Sequence, residues 1–525
     1  MRTLPFLLPA MLGCILASAA DRALDGRVVD ANTGEPIQHA HITLRFYQGA
    51  QPAPEVTLLS DADGSFKVTN LPTGNYQVSC DKAGYLPTNQ SMGAMPPAVS
   101  GDNKAATMVL KMTAQAAVEG TVIDDRDMPA PNTYIQVVRQ QVVNGRRQVQ
   151  IMGSAATDET GSFRIFGLPA GQYYVSITAR LNGARRSKAL AYPPLFYPGA
   201  LDIATAQPLE LKAGDDNEIK MRLPEPVRAF EVSGVVATAS QNAGISLIAQ
   251  PSAIAGFQQS SGDLKWDVKA HTFRFSHVTP GMYQVSASVP IEGRGSAFGS
   301  AMVAVGSTDV TGIRLEPVEA TLEGTVRVEG DAPPKMSGFV SVQSERWSNG
   351  GQVDAEGKFH IPGIQPGTYR IVPQVFPQQS CVRSILSGGR EIRDALTVGS
   401  GAAPEPVEVV LSTHCGSIDV SVSPSDTPFP PNLTAYLLRK VGDEMVLEKQ
   451  GYQLGRAGDG AVNLAISGVA AGDYVVYVWP QDLAIEYSSA EYMKQFDSYG
   501  QRVTVTEDGK ATVTVDKVLT ALPKN

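Results

Sequence analysis

Apolar and polar residues alternate along most of this chain in short runs. The run YQVSC at 76–80 is representative, because a period of two places Tyr76, Val78 and Cys80 on one face of a strand and the polar residues on the other. Gly, Pro, Asn and Asp separate these runs, as they do at turns. The pattern predicts β-strands throughout, except at 489–499, where the apolar residues share one helical face.

One block of sequence recurs five times. Each copy has a turn, a strand that begins with Phe in the first four copies, a second turn, and a strand that begins with Tyr. Glycines in the turns can adopt the positive φ that tight turns need. Pro in the second turn ends a strand because it has no backbone N–H to donate to the neighbouring strand. The recurring pairs are Phe66 and Tyr76, Phe163 and Tyr173, Phe273 and Tyr283, Phe359 and Tyr369, and, more loosely, Val462 and Tyr474.

A strand with a central glycine precedes each block, and a closing strand follows it. The framing glycines are Gly26, Gly120, Gly234, Gly324 and Gly416, at separations of 94, 114, 90 and 92 residues. This spacing suits sandwiches of about seven strands and roughly 100 residues. The sequence therefore predicts an all-β chain, a tandem array of about five immunoglobulin- or transthyretin-like antiparallel β-sandwich domains. The predicted domains are 21–113, 114–226, 227–317, 318–412 and 413–525.

The amino-terminal residues have the features of a signal peptide, predicted at 1–20. Arg2 supplies a positive charge, the apolar run 4–16 is too short to span a membrane, and small residues follow it. A lipoprotein signal acylated at Cys14 is the alternative. We expect an exported protein in the periplasm, at the cell surface or outside the cell, without a transmembrane segment in the mature chain.

The first repeat resembles a known family. The segments GRVVDANTGEPIQHAHITL at 26–44, DADGSF at 61–66 and KAGY at 82–85 are similar to the carboxypeptidase regulatory-like domain. The resemblance implies a transthyretin-like β-sandwich, and weaker copies extend it over nearly the whole mature chain, as in large exported bacterial repeat proteins. In zinc carboxypeptidases catalysis belongs to a separate α/β domain with an H-x-x-E motif, which this sequence lacks.

Charge and motif content narrow the classes of function. The 43 basic and 52 acidic side chains give a formal net charge of −9, which argues against binding to nucleic acids or anionic membranes. The sequence has no nucleophilic-serine, phosphate-loop or zinc-protease motif, and no cofactor is expected. His39 and His41, two apart on a predicted strand, and the acidic turns at 61–64 and 354–357 are weak metal candidates that ordinary strand and turn chemistry explains.

We therefore expect a non-enzymatic structural, adhesive or ligand-binding protein whose partner is an extracellular or periplasmic polymer or protein. A polysaccharide-binding accessory protein and an unrecognised hydrolase are the alternatives. Trp347, near a turn, and Tyr192, Phe196 and Tyr197, in a Pro-rich loop, are the candidate ligand-binding residues, because aromatic rings stack on sugar faces. Packing between domains is the other explanation for them. The strand at 474–479 is apolar on both faces, so one face should meet a neighbouring domain or a ligand.

Three cysteines remain after removal of the predicted signal peptide, in an oxidising compartment. Cys80 shares a strand face with apolar residues and is predicted to be a buried thiol. Cys381 and Cys415 flank the end of the fourth repeat. A disulfide between them would pin the fourth domain to the fifth.

Overall fold

The computed structural model describes most of the mature chain. The described residues are 23–47, 55–69, 75–87, 98–100, 105–181, 189–249, 262–291, 295–330, 336–344, 347–376, 380–393, 396–399, 403–424, 429–430, 432–456, 462–481 and 483–522. The predicted signal peptide at 1–20 and Cys14 lie outside them. The chain divides into two compact units, the first formed by Met1–Ala117, Phe166–Gly171 and Leu211–Asn217, and the second by the remaining residues. No helix in the described part is long and apolar enough to cross a membrane.

The first sandwich packs two four-stranded sheets around one core. Its strands are β1 (Ala23–Asp30), β2 (His41–Tyr47), β3 (Glu55–Leu59), β4 (Ser65–Val68), β5 (Asn75–Asp81), β6 (Tyr85–Leu86), β7 (Ala98–Ser100) and β8 (Ala105–Ala114). The sheet orders are β4-β1-β8-β6 and β3-β2-β5-β7. Leu24, Phe66, Val78 and Met112 are among the residues that fill the space between the sheets.

The second sandwich has larger sheets. Its strands are β9 (Ala116–Ile123), β10 (Tyr134–Val143), β11 (Arg146–Ala156), β12 (Ser162–Leu168), β13 (Gly171–Thr178), β14 (Leu190–Ala191), β15 (Leu195–Phe196), β16 (Leu209–Leu211), β17 (Asp216–Arg222) and β18 (Val227–Arg228), with a 3-10 helix at Ile203–Thr205. One sheet runs β11-β10-β13-β15, with β16 also on β13, and the other runs β12-β9-β17. Strand β14 pairs with β18 at the entrance to the third sandwich.

The third and fourth sandwiches repeat the arrangement. The third contains β19 (Phe230–Val236), β20 (Gly244–Ala249), β21 (Asp263–Asp267), β22 (Thr272–Val278), β23 (Gly281–Ile291), β24 (Gly295–Val305) and β25 (Val310–Leu315). The fourth contains β26 (Leu322–Glu329), β27 (Ser337–Gln343), β28 (Ser348–Val353), β29 (Lys358–Ile361), β30 (Gly367–Phe376), β31 (Cys381–Ser387), β32 (Arg390–Glu391), β33 (Leu396–Val398) and β34 (Val407–Ser412). Their sheet orders are β21-β22-β19-β25 and β20-β23-β24, then β29-β26-β34-β31-β32 and β28-β27-β30-β33.

The fifth sandwich is one continuous seven-stranded sheet that folds over its core, in the order β40-β39-β36-β37-β38-β35-β41. Its elements are β35 (Gly416–Val422), β36 (Leu433–Val441), β37 (Glu444–Arg456), β38 (Val462–Val469), β39 (Gly472–Pro480), α1 (Ala490–Met493), a 3-10 helix (Lys494–Tyr499), β40 (Gln501–Val505) and β41 (Lys510–Val515). The helical segment predicted at 489–499 is thus one α-turn followed by a 3-10 helix.

The predicted all-β architecture of tandem sandwiches is confirmed, with one difference in strand direction. In four sandwiches the first strand runs parallel to the last, as β1 does to β8, β19 to β25, β26 to β34 and β35 to β41. Parallel neighbours need a long crossover. Here the rest of each sandwich forms that crossover, so the parallel pair closes each repeat. The predicted domain bounds near 113, 226, 317 and 412 stay a prediction.

The framing glycines and the block phenylalanines lie opposite each other on paired strands. The facing pairs are Gly26 and Phe66, Gly234 and Phe273, and Gly324 and Phe359. A Cβ atom on Gly26 or on Gly324 would lie 2.2 Å from Cζ of the facing ring. The glycine therefore leaves the space that the buried ring occupies.

The block tyrosines form tyrosine corners. The hydroxyl groups of Tyr283, Tyr369 and Tyr474 each donate to the backbone carbonyl four residues earlier, at 2.7 to 2.8 Å. Burial raises the pKa of Tyr369 to about 12. The glycine two residues before each ring also fits closely, because a Cβ on Gly367 would lie 3.3 Å from the Tyr369 hydroxyl oxygen.

Candidate functional site

A small cleft lies where the second and third sandwiches meet. It is lined by the end of β13, by β14 and the residues after it, and by parts of β21 and β22. Its volume is about 60 Å³, room for a few water molecules, since one water needs roughly 10–15 Å³. The lining residues are Thr178, Ala179, Arg180, Leu181, Leu190, Ala191, Tyr192, Pro194, Gly262, Asp263, His277 and Thr279.

Asp263 is the centre of the polar side of this cleft. Its Oδ2 lies 3.0 Å from Nδ1 of His277 in the same sandwich, and its Oδ1 lies 3.5 Å from the guanidinium of Arg180 in the second sandwich. His277 has a φ of 61°, in the left-handed region that residues other than Gly seldom adopt. The carboxylate therefore bridges basic groups from both sandwiches and ties the two walls of the cleft together.

The candidate aromatic residues at 192–197 are mostly buried in their own sandwich. Tyr192 is 7% exposed, and its hydroxyl donates to Oδ1 of Asp125 at 2.7 Å. Phe196 is 5% exposed, because it belongs to β15 and packs against Val138, among others. Tyr197 is half-buried. Neither Tyr192 nor Phe196 presents an open ring face on which a sugar could stack.

Trp347 also packs more closely than a turn position suggested. It is half-buried against the core of the fourth sandwich. Its ring meets the ring of Tyr369 edge to face, with centroids 5.5 Å apart. The structure does not bring Trp347 together with the 192–197 group, since the two belong to different sandwiches. A role in ligand binding stays a prediction for all four residues.

The second apolar face of strand β39 is covered by the chain's own residues. Trp479 stacks on Tyr436 with ring centroids 4.1 Å apart. The segment 483–499, which follows this strand, lays Tyr487 and Phe496 over them to form a satellite core of the fifth sandwich. We call this segment the strap. The face that the sequence directs to a neighbour or a ligand is thus closed within its own sandwich.

The metal candidates have structural roles. His39 does not share a strand face with His41, because it precedes β2 in a left-handed turn with a φ of 53°. In the turn at 61–64, Oδ1 of Asp63 accepts hydrogen bonds from the side chain and the backbone of Ser65, which lower the pKa of this carboxyl. Oδ1 of Asp354 likewise accepts two backbone N–H groups. Among the described residues no group of three or more His, Cys, Asp or Glu side chains is arranged to hold a metal.

The junction of the fourth and fifth sandwiches is covalent as well as ionic. A disulfide joins Cys381 to Cys415 across 34 residues. Glu448 of the fifth sandwich accepts from Arg393 of the fourth and, at 2.7 Å, from Arg439 of its own sandwich. The side chains of Arg393 and Glu448 are only 6% and 7% exposed. A charged pair buried to this extent is stable only because each charge has its partner.

The second sandwich contacts the strap of the fifth, although their residues are far apart in sequence. The hairpin that joins β10 to β11 places Arg146 against both carboxylate oxygens of Glu444, at 3.0 Å each, and pairs Arg147 with Glu486. Ser488 donates its hydroxyl to the carbonyl of Gly145 at 2.7 Å. Residues 145–147 and the strap segment 486–488, with Glu444, form a contact that we call the brace. No sequence periodicity indicated this contact.

Comparison with known proteins shows a similarity of the first sandwich to a known family and of the chain to several solved structures. No curated protein sequence matches the chain. Among solved structures, it is similar to a minor pilin of Streptococcus agalactiae (13% identity, 39% of this chain and 98% of that chain, TM-score 0.23) and to the TIE protein of Bacillus anthracis (12%, 74% and 69%, TM-score 0.17). It is also similar to the shaft pilin SpaA of Lactobacillus rhamnosus GG (11%, 39% and 98%, TM-score 0.21). Residues 23–110 match the family model of the carboxypeptidase regulatory-like domain, which confirms the resemblance of the first sandwich to that family.

Proposed function

We propose that this chain is an exported, non-catalytic scaffold that holds surface loops at set distances for a polymer or protein partner outside the cytoplasm. The observation that carries the proposal is the brace. Domains joined only by linkers move relative to one another by default. A contact between the second and fifth sandwiches restricts that motion, as a spacer or presenting scaffold requires.

The strength of the brace comes from several modest contacts. Arg146 and Glu444 are 41% and 44% exposed, so their ion pair contributes at most about 1 kcal/mol. The hydrogen bond from Ser488 adds on the order of 1 kcal/mol. Tyr487 packs so closely on Gly145 that a Cβ there would lie 2.6 Å from the ring. Together these contacts favour the arrangement in which the second and fifth sandwiches touch, although each contact by itself is weak.

The remaining observations support export and the absence of catalysis. A disulfide suits an oxidising compartment, and the predicted signal peptide suits export. In the cleft, the Asp263 carboxylate is shared between two basic side chains and the Tyr192 hydroxyl is bonded to Asp125. The described lining of this cleft contains no serine or cysteine nucleophile beside the Asp263–His277 pair, and the hydroxyl of Thr279 is hydrogen-bonded to that of Tyr283.

The brace is tested by amide hydrogen exchange in the double variant Arg146→Ala/Arg147→Ala. We expect exchange to accelerate several-fold in the hairpin and in the strap. Arg164→Ala is the matched control, because its ion pair with Glu119 lies within the second sandwich and is similarly exposed. Unchanged exchange in the double variant would contradict the brace. Turnover of a peptide or glycan that Asp263→Asn abolishes, with the fold intact, would overturn the non-catalytic assignment.

Polysaccharide binding is a second candidate, and Trp347 and Tyr197 are the residues that support it, because both rings keep part of their surface open. Trp347→Ala should then weaken binding on a glycan array. Because the ring also packs on the fourth core, we expect the same change to cost about 2 kcal/mol, less than the 3–5 kcal/mol of a fully buried aromatic ring. Trp347→Leu, which keeps an apolar side chain against the core but removes the aromatic face, separates the two effects. Loss of stability with unchanged binding would remove Trp347 from the site.

A further inference from the structure

Strand β24 of the third sandwich is a long edge strand without a charged side chain. It spans eleven residues, GSAFGSAMVAV, and lies at one end of the sheet β20-β23-β24. Exposed edges present unpaired backbone groups, and proteins usually protect them with charges, Pro or bulges. Arg146 and Arg147 on the equally long β11 and Lys510 on β41 are such charges, whereas the six-residue end strands β20 and β28 lack them. Strand β24 is eleven residues long and also carries none.

Among the described residues, a segment outside the sheet pairs with the beginning of this edge. Phe298 donates to and accepts from the backbone of Val318, at 3.0 and 3.1 Å. This pairing shows that the backbone groups of Phe298 point away from β23. Because the direction alternates along a strand, those of Ser300, Met302 and Ala304 point the same way. Within the described residues, β24 has β23 as its ladder neighbour, and no further strand extends the sheet past these three residues.

The outer face beside this edge is uncharged as well. Met302 is 58% exposed, and Met282 on the neighbouring strand is 48% exposed. Gln284, which faces Met302 on the neighbouring strand, donates to the hydroxyl of Ser300 at 3.1 Å. The opposite face of β24 is apolar, with Val303 in the core of the sandwich. The edge therefore combines a regular backbone, an apolar inner face and an outer face of Met, Gln and Ser.

We propose that β24 is a self-pairing edge, and that its occupant is β24 of a second copy of this chain, in antiparallel orientation about a two-fold axis at Met302. The open residues are complementary to themselves in this register, because Ser300 faces Ala304 of the other copy and Met302 faces its own equivalent. In a two-fold contact a charge on the axis would face its own copy, which is unfavourable. The chain has a net charge of −9, so an uncharged strand is the place where two copies approach with least repulsion. This pairing is independent of the proposed scaffold role.

The geometry is tested by disulfide cross-linking. Residues facing each other at a hydrogen-bonded antiparallel position have Cα atoms about 5.5 Å apart, within the range of a disulfide. Met302→Cys should therefore form a covalent dimer under mild oxidation. Met282→Cys is the matched control, exposed on the same face but one strand inward, so its copies lie roughly 14 Å apart or more at a strand spacing near 4.8 Å. Equal cross-linking of the two variants would overturn the proposed register.

The association itself is tested by sedimentation velocity of the full mature chain over a range of concentrations. Met302→Lys places like charges at the axis and should raise the dimer dissociation constant about tenfold or more, while Met282→Lys should leave it nearly unchanged. Both positions are exposed, so neither change should alter the melting temperature. A chain that stays monomeric up to about 1 mM, the weak end of specific association, would overturn the proposal. So would a dimer that Met302→Lys does not weaken.

Discussion

Replacing Glu448 by Gln removes the charge at the centre of the junction between the fourth and fifth sandwiches. The carboxylate of Glu448 accepts hydrogen bonds from Arg393 and Arg439, and Arg393 and Glu448 are almost completely buried. Breaking a buried pair on one side costs about 3–5 kcal/mol, because the other charge stays behind without compensation. Arg393 also lies 3.6 Å from Glu391 and donates to the carbonyl of Arg383 at 2.9 Å. Part of its charge therefore stays compensated, and we expect a loss of about 3 kcal/mol.

The neighbouring Lys449 adds to this sensitivity. Burial lowers the pKa of its ammonium group, and Arg393 and Arg370 nearby lower it further. The junction thus holds several positive groups around two carboxylates, of which Glu448 makes the closer contacts and Glu391 lies 3.6 Å from Arg393 and from Arg439. Neutralising Glu448 increases their mutual repulsion, and the effect should weaken only slightly with added salt, since buried charges are poorly screened.

Urea unfolding followed by tryptophan fluorescence measures the loss in two backgrounds, one that keeps only Trp347 in the fourth sandwich and one that keeps only Trp479 in the fifth. The other tryptophans, including Trp266 of the third sandwich, are replaced by Phe. We expect the midpoints of both to fall in Glu448→Gln. Glu408→Gln is the matched control within the fourth sandwich, because its partner Arg327 and Glu408 itself are 53% and 41% exposed, and such pairs contribute about 0–1 kcal/mol. Equal effects of the two substitutions would refute the reasoning, as would a shift confined to one tryptophan.

Three further predictions concern the repeat and the cysteines. Gly324→Ala should destabilise the fourth sandwich by about 1–3 kcal/mol in urea unfolding. The reason is that its Cβ would lie 2.2 Å from a buried ring and 2.7 Å from a backbone oxygen. Gly399→Ala is the control and should be nearly neutral in the same assay, because a Cβ there would have nothing within 4 Å. Replacing Cys381 and Cys415 by Ser should cost roughly 3–4 kcal/mol in the chain-entropy model, and the unfolded, unreduced mature chain should alkylate at one thiol, with three refuting the bridge. Burial raises the pKa of the Cys80 thiol from 9.0 to about 12. The folded state therefore holds the thiol proton more tightly than the unfolded state does. The stability that this difference contributes is complete below pH 9 and is lost as the pH rises toward 12. The stability difference between wild type and Cys80→Ala should therefore shrink over that range in urea titrations, and a constant difference would contradict this.

The strands and turns of the repeated block could be predicted from the sequence because they depend on residues close together in the chain. Alternation at a period of two, turn glycines and the Phe-to-Tyr spacing act within about twenty residues, where strand and turn rules hold. They placed Phe163, Phe273 and Phe359 in cores with the tyrosines that follow them. The role of the framing glycine opposite the Phe was not readable in the same way, because it depends on which strands pair.

The candidate site was less predictable, because it depends on which apolar faces are covered. Two apolar faces on one strand indicate that both are covered, but they do not indicate which residues cover them. In this chain residues of the strap cover Trp479. The sequence places Tyr192 in a Pro-rich loop, but it does not indicate that its hydroxyl reaches Asp125 on a distant turn. The sequence predicts His39 on the same strand face as His41. In the structure His39 lies in a left-handed turn before β2 and so does not share that face.

Short-range patterns were therefore enough to predict the all-β class, the repeated sandwich and the family resemblance of the first repeat. The parallel direction of the first and last strands, the cover of the strap over the aromatic face and the contact between the second and fifth sandwiches depend instead on contacts between residues far apart in the chain. The brace joins Arg146 to Glu444, which are 298 residues apart. No local periodicity specifies such a pairing, because exposed Arg and Glu residues look alike in sequence whether or not folding brings them together.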